Sequence, residues 1–212
     1  WRRRGIGTAM LKSNEARMQE IAREHDPDRK KVVYGWAEEG QPGVQRLFLN
    51  AGDRPERYFF MMLRALDDAT PQPQLPDGLE IRPVTTEHMR PIWEASNEAF
   101  RDHWGHVEGT DKDYERWTTD PELDPSLWKV AWDGDEVAGM VLNRIDKAEN
   151  EKLNVKYGWT DTISVRRPWR RRGLATALIH ASLHELKERG MQHAALGVDT
   201  QNPSGALQLY ES

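Results

Sequence analysis

The sequence predicts an α/β protein with a mixed central β-sheet flanked by helices, laid out as two related copies of one unit. Three observations predict it. WRRRGIGTAML at residues 1–11 returns as WRRRGLATALI at residues 169–179, and self-similarity at a long interval marks a duplicated architecture. Both copies run from a glycine-containing turn into a helix-spaced apolar pattern and then into a short strand-like run. The second copy also holds two apolar runs around Asp133 and Gly134, a hairpin signal.

In chain order, the segment from Gly5 to about Arg23 carries apolar side chains at Met10, Leu11, Met18, Ile21 and Ala22, a helical spacing opened by a glycine-containing turn. KVVYGWAEE (31–39) is β-branched and aromatic and reads as a strand. Gly40, Pro42 and Gly43 break it, VQRLFLN reads as a short helix, and ERYFFMMLRAL reads as a long apolar strand. DDATPQPQLPDG (67–78) has three prolines and no periodicity, so it reads as a linker. The expected organisation is residues 1–66 as the tail of a first copy, the linker, and residues 79–212 as the second copy.

The second copy opens on the strand LEIRPV, and Thr85 or Thr86 can cap a helix bearing Ile92, Trp93, Ala95, Ala99 and Phe100. FRDHWGHVEGT reads as a loop and YERWTTD as a short helix. After the hairpin, GWTDTISV is a strand whose alternation puts Trp159, Asp161, Ile163 and Val165 on one face. The turn WRRRGLA then opens the helix ATALIHASLHELKERG, closed by Gly190, before the strand HAALGVD and the start of one more helix. Residue 1 is Trp in mid-motif, and nothing follows SGALQLYES, so the reading is of a fragment with both copies truncated.

Composition narrows the function. The 30 Lys+Arg against 35 Asp+Glu give a net charge of −5, which argues against a generally basic nucleic-acid binder. The absence of Cys removes thiolate nucleophiles and Cys-type zinc sites. With no apolar run near the ~18 residues of a membrane helix, the expected place is the cytoplasm.

The repeated turn carries the chemistry. The first amides of a helix lack internal partners and sit at the positive end of its dipole, so an anion fits there. In 170-RRRGLA-175, Gly173 and Ala175 keep bulk away from such an anion, and arginine supplies forked donors for phosphate oxygens. Residues 2-RRRGIG-7 offer the same. The plain alternative, a solvated basic turn, loses ground because the motif occurs twice, each time before a helix and a strand.

These residues resemble the GNAT acetyltransferase superfamily, whose strand and (Q/R)-x-x-G-x-(G/A) turn cradle the pyrophosphate of acetyl-CoA. Val165, Arg170, Gly173 and Ala175 match, with Pro168 one place later than usual, and Asn202, Gly205, Leu209, Tyr210 and Glu211 match the downstream N-x-x-(A/G)-x-x-L-Y-E helix. The resemblance implies an acetyl-CoA-dependent N-acetyltransferase and a small-molecule or peptide amine as acceptor. The His103-x-x-His106 spacing could bind a metal, but no third ligand is evident where zinc needs three or four, so no metal is expected. The resemblance also implies donor contacts from Ile163, Val165, Arg170, Arg171, Arg172, Gly173, Leu174, Ala175, Thr176, Asn202 and Ser204. It makes Tyr210 the acid that protonates the departing thiolate, a transfer that is easy between a phenol near pKa ~10 and a thiol near ~8.5. A non-catalytic acyl-CoA-binding or regulatory module of the same fold is the alternative.

An ungapped alignment at an offset of 162 sets Phe48 of the first copy against Tyr210 and Gly40 against Asn202. Phenylalanine has no proton to give. The first copy therefore keeps a candidate second CoA site (Arg2, Arg4, Gly5, Gly7) without the acid, an asymmetry similar to tandem-domain members of the mycothiol synthase type. An attacking amine of pKa ~10.4 must lose a proton. Asp161 is the candidate base, with Glu108, His103 and His106 as the other candidates. His180 and His184 share a helix stripe with Thr176 and Lys187 and read as a solvated face.

Overall fold

The computed structural model describes residues 3–28, 30–67, 70–201 and 208. The chain forms two compact units, Trp1–Glu56 and Arg57–Ser212.

The first unit contains α1 (Ile6–Arg23) and α2 (Pro42–Ala51). Leu11, Glu15, Met18 and Ala22 of α1 are half-buried at helical spacing, yet neither helix buries a residue fully. Residues 31–38, expected to be a strand, have no strand or helix assignment, and Val32, Val33, Tyr34 and Trp36 are exposed. β-propensity alone does not make a strand. Among its described residues this unit has no strand to pair with, and pairing is what stabilises an extended chain.

The second unit is built on β1 (Phe59–Ala65), β2 (Glu80–Ile81), β3 (Lys129–Asp133), β4 (Glu136–Arg144), β5 (Tyr157–Val165) and β6 (His193–Asp199). They form one sheet in the order β1-β6-β5-β4-β3-β2, antiparallel except for β5 and β6. The apolar strand read as the tail of the first copy is thus an edge strand of this sheet, with Phe59 opposite Asp199 and Ala65 opposite His193.

Two layers cover the sheet. On one face lies α3 (Met89–Ala99), entered through a capping box in which the Thr85 amide donates to His88 Nδ1 at 3.1 Å. Its Met89, Ile92 and Ala95 pack with Val130, Met140 and Leu142, joined by Tyr114 and Trp117 of α4 (Asp111–Thr118). On the other face lies α6 (Leu174–Glu188), whose Leu174 and Leu178 pack with Ala131, Ala138, Val141 and Trp169, and whose Leu186 packs with Leu66 and Ala194. Gly190, at φ 81°, follows its last turn, as the sequence predicts.

Two further expectations are corrected, and one helix is added. The strand alternation read for β5 fails at Asp161: Leu142 pairs with Thr162 but Asn143 with Thr160, so Asp161 is the extra residue of a bulge. Ile163 and Val165 face α6, and before the bulge it is Gly158, not Trp159, that abuts Leu186. A helix not foreseen, α5 (Lys147–Leu153), links β4 to β5, started by the Asp146 carboxylate accepting from the Glu149 amide at 2.7 Å. The His180 and His184 stripe is half-covered, because the proline-rich segment folds back and the Pro71 carbonyl accepts from His184 Nε2 at 3.0 Å. In the same segment Thr70 is buried and Leu75 packs against the α6-side core.

Candidate active site

The site begins where the sheet fails to close. Parallel pairing of β5 with β6 covers Tyr157, Gly158 and Trp159 against His193, Ala194 and Ala195. The Thr160 hydroxyl adds a last tie, donating to the Ala195 carbonyl at 3.2 Å. Beyond this point, among the described residues, β5 ladders only with β4 and β6 only with β1. A V-shaped gap opens in mid-sheet between residues 161–165 and 196–199, its two edges presenting backbone groups without ladder partners. Such edges pair readily with an extended amide-bearing ligand, and open space lies above Gly197 on the β6 edge.

The wide end of the gap adjoins the start of α6. Arg171 at φ 60° and Gly173 at φ 83° are both left-handed, so the chain coils tightly before the helix. The first intrahelical bond runs from the Ala177 amide to the Gly173 carbonyl, and no side chain caps the helix. The amides of Leu174, Ala175 and Thr176 therefore face outward at the positive end of a 15-residue helix, an anion seat by hydrogen bonding and dipole together. Arg171, Arg172 and Thr176 are exposed around it, Ala175 is half-buried, and Leu174 is buried and offers only its amide.

The other arginines hold the turn in place. Arg170 donates through Nε to the Val165 carbonyl (2.9 Å) and through Nη2 to the Ala99 carbonyl (3.2 Å). Arg166 pairs with Glu98 (2.8 Å) and Glu136 (3.2 Å), and Arg167 pairs with Asp102 (2.6 Å). Hydrogen bonding from Arg167 holds the Asp102 carboxyl below the ordinary carboxylate range. The RRPWRRRG run thus divides into a structural part fastened to the end of α3 and an exposed part next to the helix start.

Asp161 sits on the bulge at the narrow end of the gap, 41% exposed, its Oδ2 accepting from Arg144 Nε at 3.0 Å. Ile163 and Val165 line the β5 side and are half-buried. Glu108 is ion-paired with Arg101 at 3.3 Å, His103 Nδ1 donates to the Trp104 carbonyl at 3.1 Å, and the buried His106 Nε2 has no hydrogen-bond partner among the described residues. Tyr210, Asn202 and Ser204 lie outside the described residues. Among the described residues no cluster of three metal-ligating side chains occurs, and no helix is long and apolar enough to cross a membrane.

The first unit repeats the turn. Arg3 has φ 60° and Gly5 φ 79°, matching Arg171 and Gly173, and α1 also starts without a side-chain cap. Arg4, Gly5 and Gly7 are exposed; Arg2 lies outside the described residues. The Phe48 ring lies so close over Gly35 that a Cβ there would sit 2.5 Å from Cζ.

A mixed sheet splayed between two parallel strands, with an uncapped helix start at the mouth of the gap, is the frame on which the site is built. The model of the acetyltransferase (GNAT) family matches residues 89–212, and the chain belongs to that family. It is 29% identical over 213 residues to the mycothiol acetyltransferase of Geodermatophilus obscurus, covering 99% of this chain and 65% of that protein. It is 31% identical over 183 residues to that of Thermobispora bispora, covering 86% and 61%. The crystal structure of a GCN5-related N-acetyltransferase from Sphaerobacter thermophilus superposes with a TM-score of 0.78 at 28% identity, over 99% of this chain and 64% of that one. A tandem GNAT protein from the clavulanic acid biosynthesis pathway shares the fold, with a TM-score of 0.62 at 20% identity. The chain spans about two thirds of the length of these relatives.

Proposed function

We propose that the protein transfers an acetyl group from acetyl-CoA to a primary amine, and that the second copy, residues 79–212, performs the transfer. The observation that carries this reading is the gap between β5 and β6 ending on the uncapped start of α6. Its edges suit the amides of the donor's pantetheine arm, and the amides of residues 174–176 suit its pyrophosphate. Residues 1–66 are the tail of a first copy and 67–78 the connection.

The neutral amine attacks the thioester carbonyl, a C–N bond forms and the C–S bond breaks. Tyr210 gives its proton to the leaving thiolate. The proton of the attacking nitrogen goes to Asp161, directly or through water, from its place at the narrow end of the gap. The relatives' names make acceptors of the mycothiol type the first to try, beside simpler amines.

The experiment is acetyl-CoA-dependent thiol release over a panel of primary amines, with binding of acetyl-CoA measured in parallel. Tyr210→Phe is expected to lower turnover by about 10²–10⁴ while leaving donor affinity unchanged. An unchanged rate overturns the assignment of the acid. Donor binding without turnover of any amine favours the non-catalytic acyl-CoA module.

A further inference from the structure

The loop between α3 and α4 crosses the wide end of the gap, and its two attachments lie on opposite rims. Asp102 is fastened to the β5 rim by Arg167 (2.6 Å) and Arg170 (3.4 Å). Two residues on, the Trp104 indole lies under the Arg57 guanidinium, 4.9 Å from the ring centroid to Cζ. Arg57 belongs to the β6 rim. Its Nη1 is 3.4 Å from Asp199 Oδ2 and donates to Gln201 Oε1 (3.0 Å) and to the Gln201 carbonyl (3.4 Å). Asp199 Oδ1 accepts from the Gln201 amide at 2.9 Å.

The β6-rim anchor is built more tightly than a surface pair. The Asp199 side chain is 2% exposed and that of Arg57 18%. A carboxylate so enclosed needs its partner, because removing one member leaves an uncompensated charge. The guanidinium is shared among a carboxylate, two oxygens of Gln201 and an aromatic face, a use that its planar fork permits and an ammonium does not. Gly105 follows Trp104 at φ 73°, so the chain turns away directly after the contact.

We propose that Arg57 is a positioning residue for the acceptor: it holds the 102–104 segment as a strap across the mouth of the gap and so fixes the wall against which the amine lies. The inference rests on the acetyltransferase reading. Direct transfer needs both substrates bound together, and the helix start that suits the donor's phosphates belongs to α6, on one face of the sheet. The strap springs from α3, on the other face. The donor enters from the α6 face, which leaves the strap side for the acceptor. Arg57 lies in the run ERYFFMMLRAL that the sequence assigns to the first copy, two residues before β1. On this account that copy's tail completes the second copy's sheet and supplies one anchor of its acceptor side.

The test compares Arg57→Ala, Arg57→Lys and Trp104→Ala by amide hydrogen exchange of residues 100–108, by acetyl-CoA binding, and by steady-state kinetics with whichever amine the wild type turns over. Arg57→Ala is expected to speed exchange in the strap about tenfold, to raise the acceptor KM by a similar factor, and to leave kcat and donor affinity within about twofold. Arg57→Lys, which keeps a charge against Asp199 but loses the planar fork that also reaches Gln201 and the indole, is expected to fold like the wild type and to restore only a minor part of both. Should Arg57→Ala fail to fold, Trp104→Ala leaves the ion pair intact and is expected to loosen the strap alone. Unchanged exchange in 100–108 in the variants overturns the strap, and a fall in kcat or donor affinity with KM unchanged overturns its acceptor role. Failure of the wild type to bind acetyl-CoA removes the acetyltransferase reading, while the exchange data still decide whether Arg57 holds the strap.

Discussion

The two arginine-glycine turns are nearly superimposable in conformation and unlike in setting. Arg3 and Gly5 repeat the left-handed angles of Arg171 and Gly173 within a few degrees, and both helices begin without a side-chain cap. Yet α6 buries seven of its residues, while α1 buries none. The second turn is fastened to α3 through Arg166, Arg167 and Arg170 and stands at the mouth of a splayed sheet. Local sequence reproduces a local backbone; a site also needs an element that presents it and a cavity that it faces.

Packing variants separate the two helices most strongly. Leu178→Ala in α6 removes a side chain with no exposure and is expected to cost about 2–5 kcal/mol. Leu11→Ala in α1, at a half-buried site, is expected to cost less than about 1 kcal/mol. Denaturant unfolding of the two variants checks the difference, and equal losses would mean that α1 is as well packed as α6.

A smaller effect belongs to His180. Burial first, then the nearby Arg64 and His184, hold its imidazole below the ordinary range. The unfolded chain therefore takes up the proton more readily than the fold, so stability is full above about pH 6.5 and declines as the pH falls below it. His180→Gln is expected to flatten that decline in unfolding midpoints measured between about pH 5 and 7. A slope unaltered by the substitution would assign the loss to other groups.

The sequence made the contiguous features legible. The helix-opening turn, the Asp133-Gly134 hairpin and the Thr85 cap depend on residues a few positions apart, and their side chains carry the instruction. What escaped depends on partners distant in the chain. Residues 31–38 have the composition of a strand, but among the described residues no strand of their unit lies beside them, whereas their aligned counterpart β6 lies between β5 and β1. The bulge at Asp161 is set by the ladder with β4 and has no signature within GWTDTISV. Arg57 meets Gln201 across 144 positions, and nothing in RPERYF announces it. For the site, the turn was readable, but the division of its arginines was not, since the acceptors for Arg166, Arg167 and Arg170 include Glu98 and Ala99 on another helix and Asp102 in the loop that follows it.

Whether the second turn is the donor seat is decided by a calorimetric titration of acetyl-CoA into two matched variants. Ala175→Asp places a carboxylate in the first turn of α6, where it favours the helix but repels a pyrophosphate; Gly7→Asp does the same at the equivalent place in α1. Ala175→Asp is expected to abolish the binding that supports turnover, while Gly7→Asp is expected to leave that binding and the rate intact. Loss of turnover with Gly7→Asp, and its retention with Ala175→Asp, would contradict the assignment of the seat to the second turn.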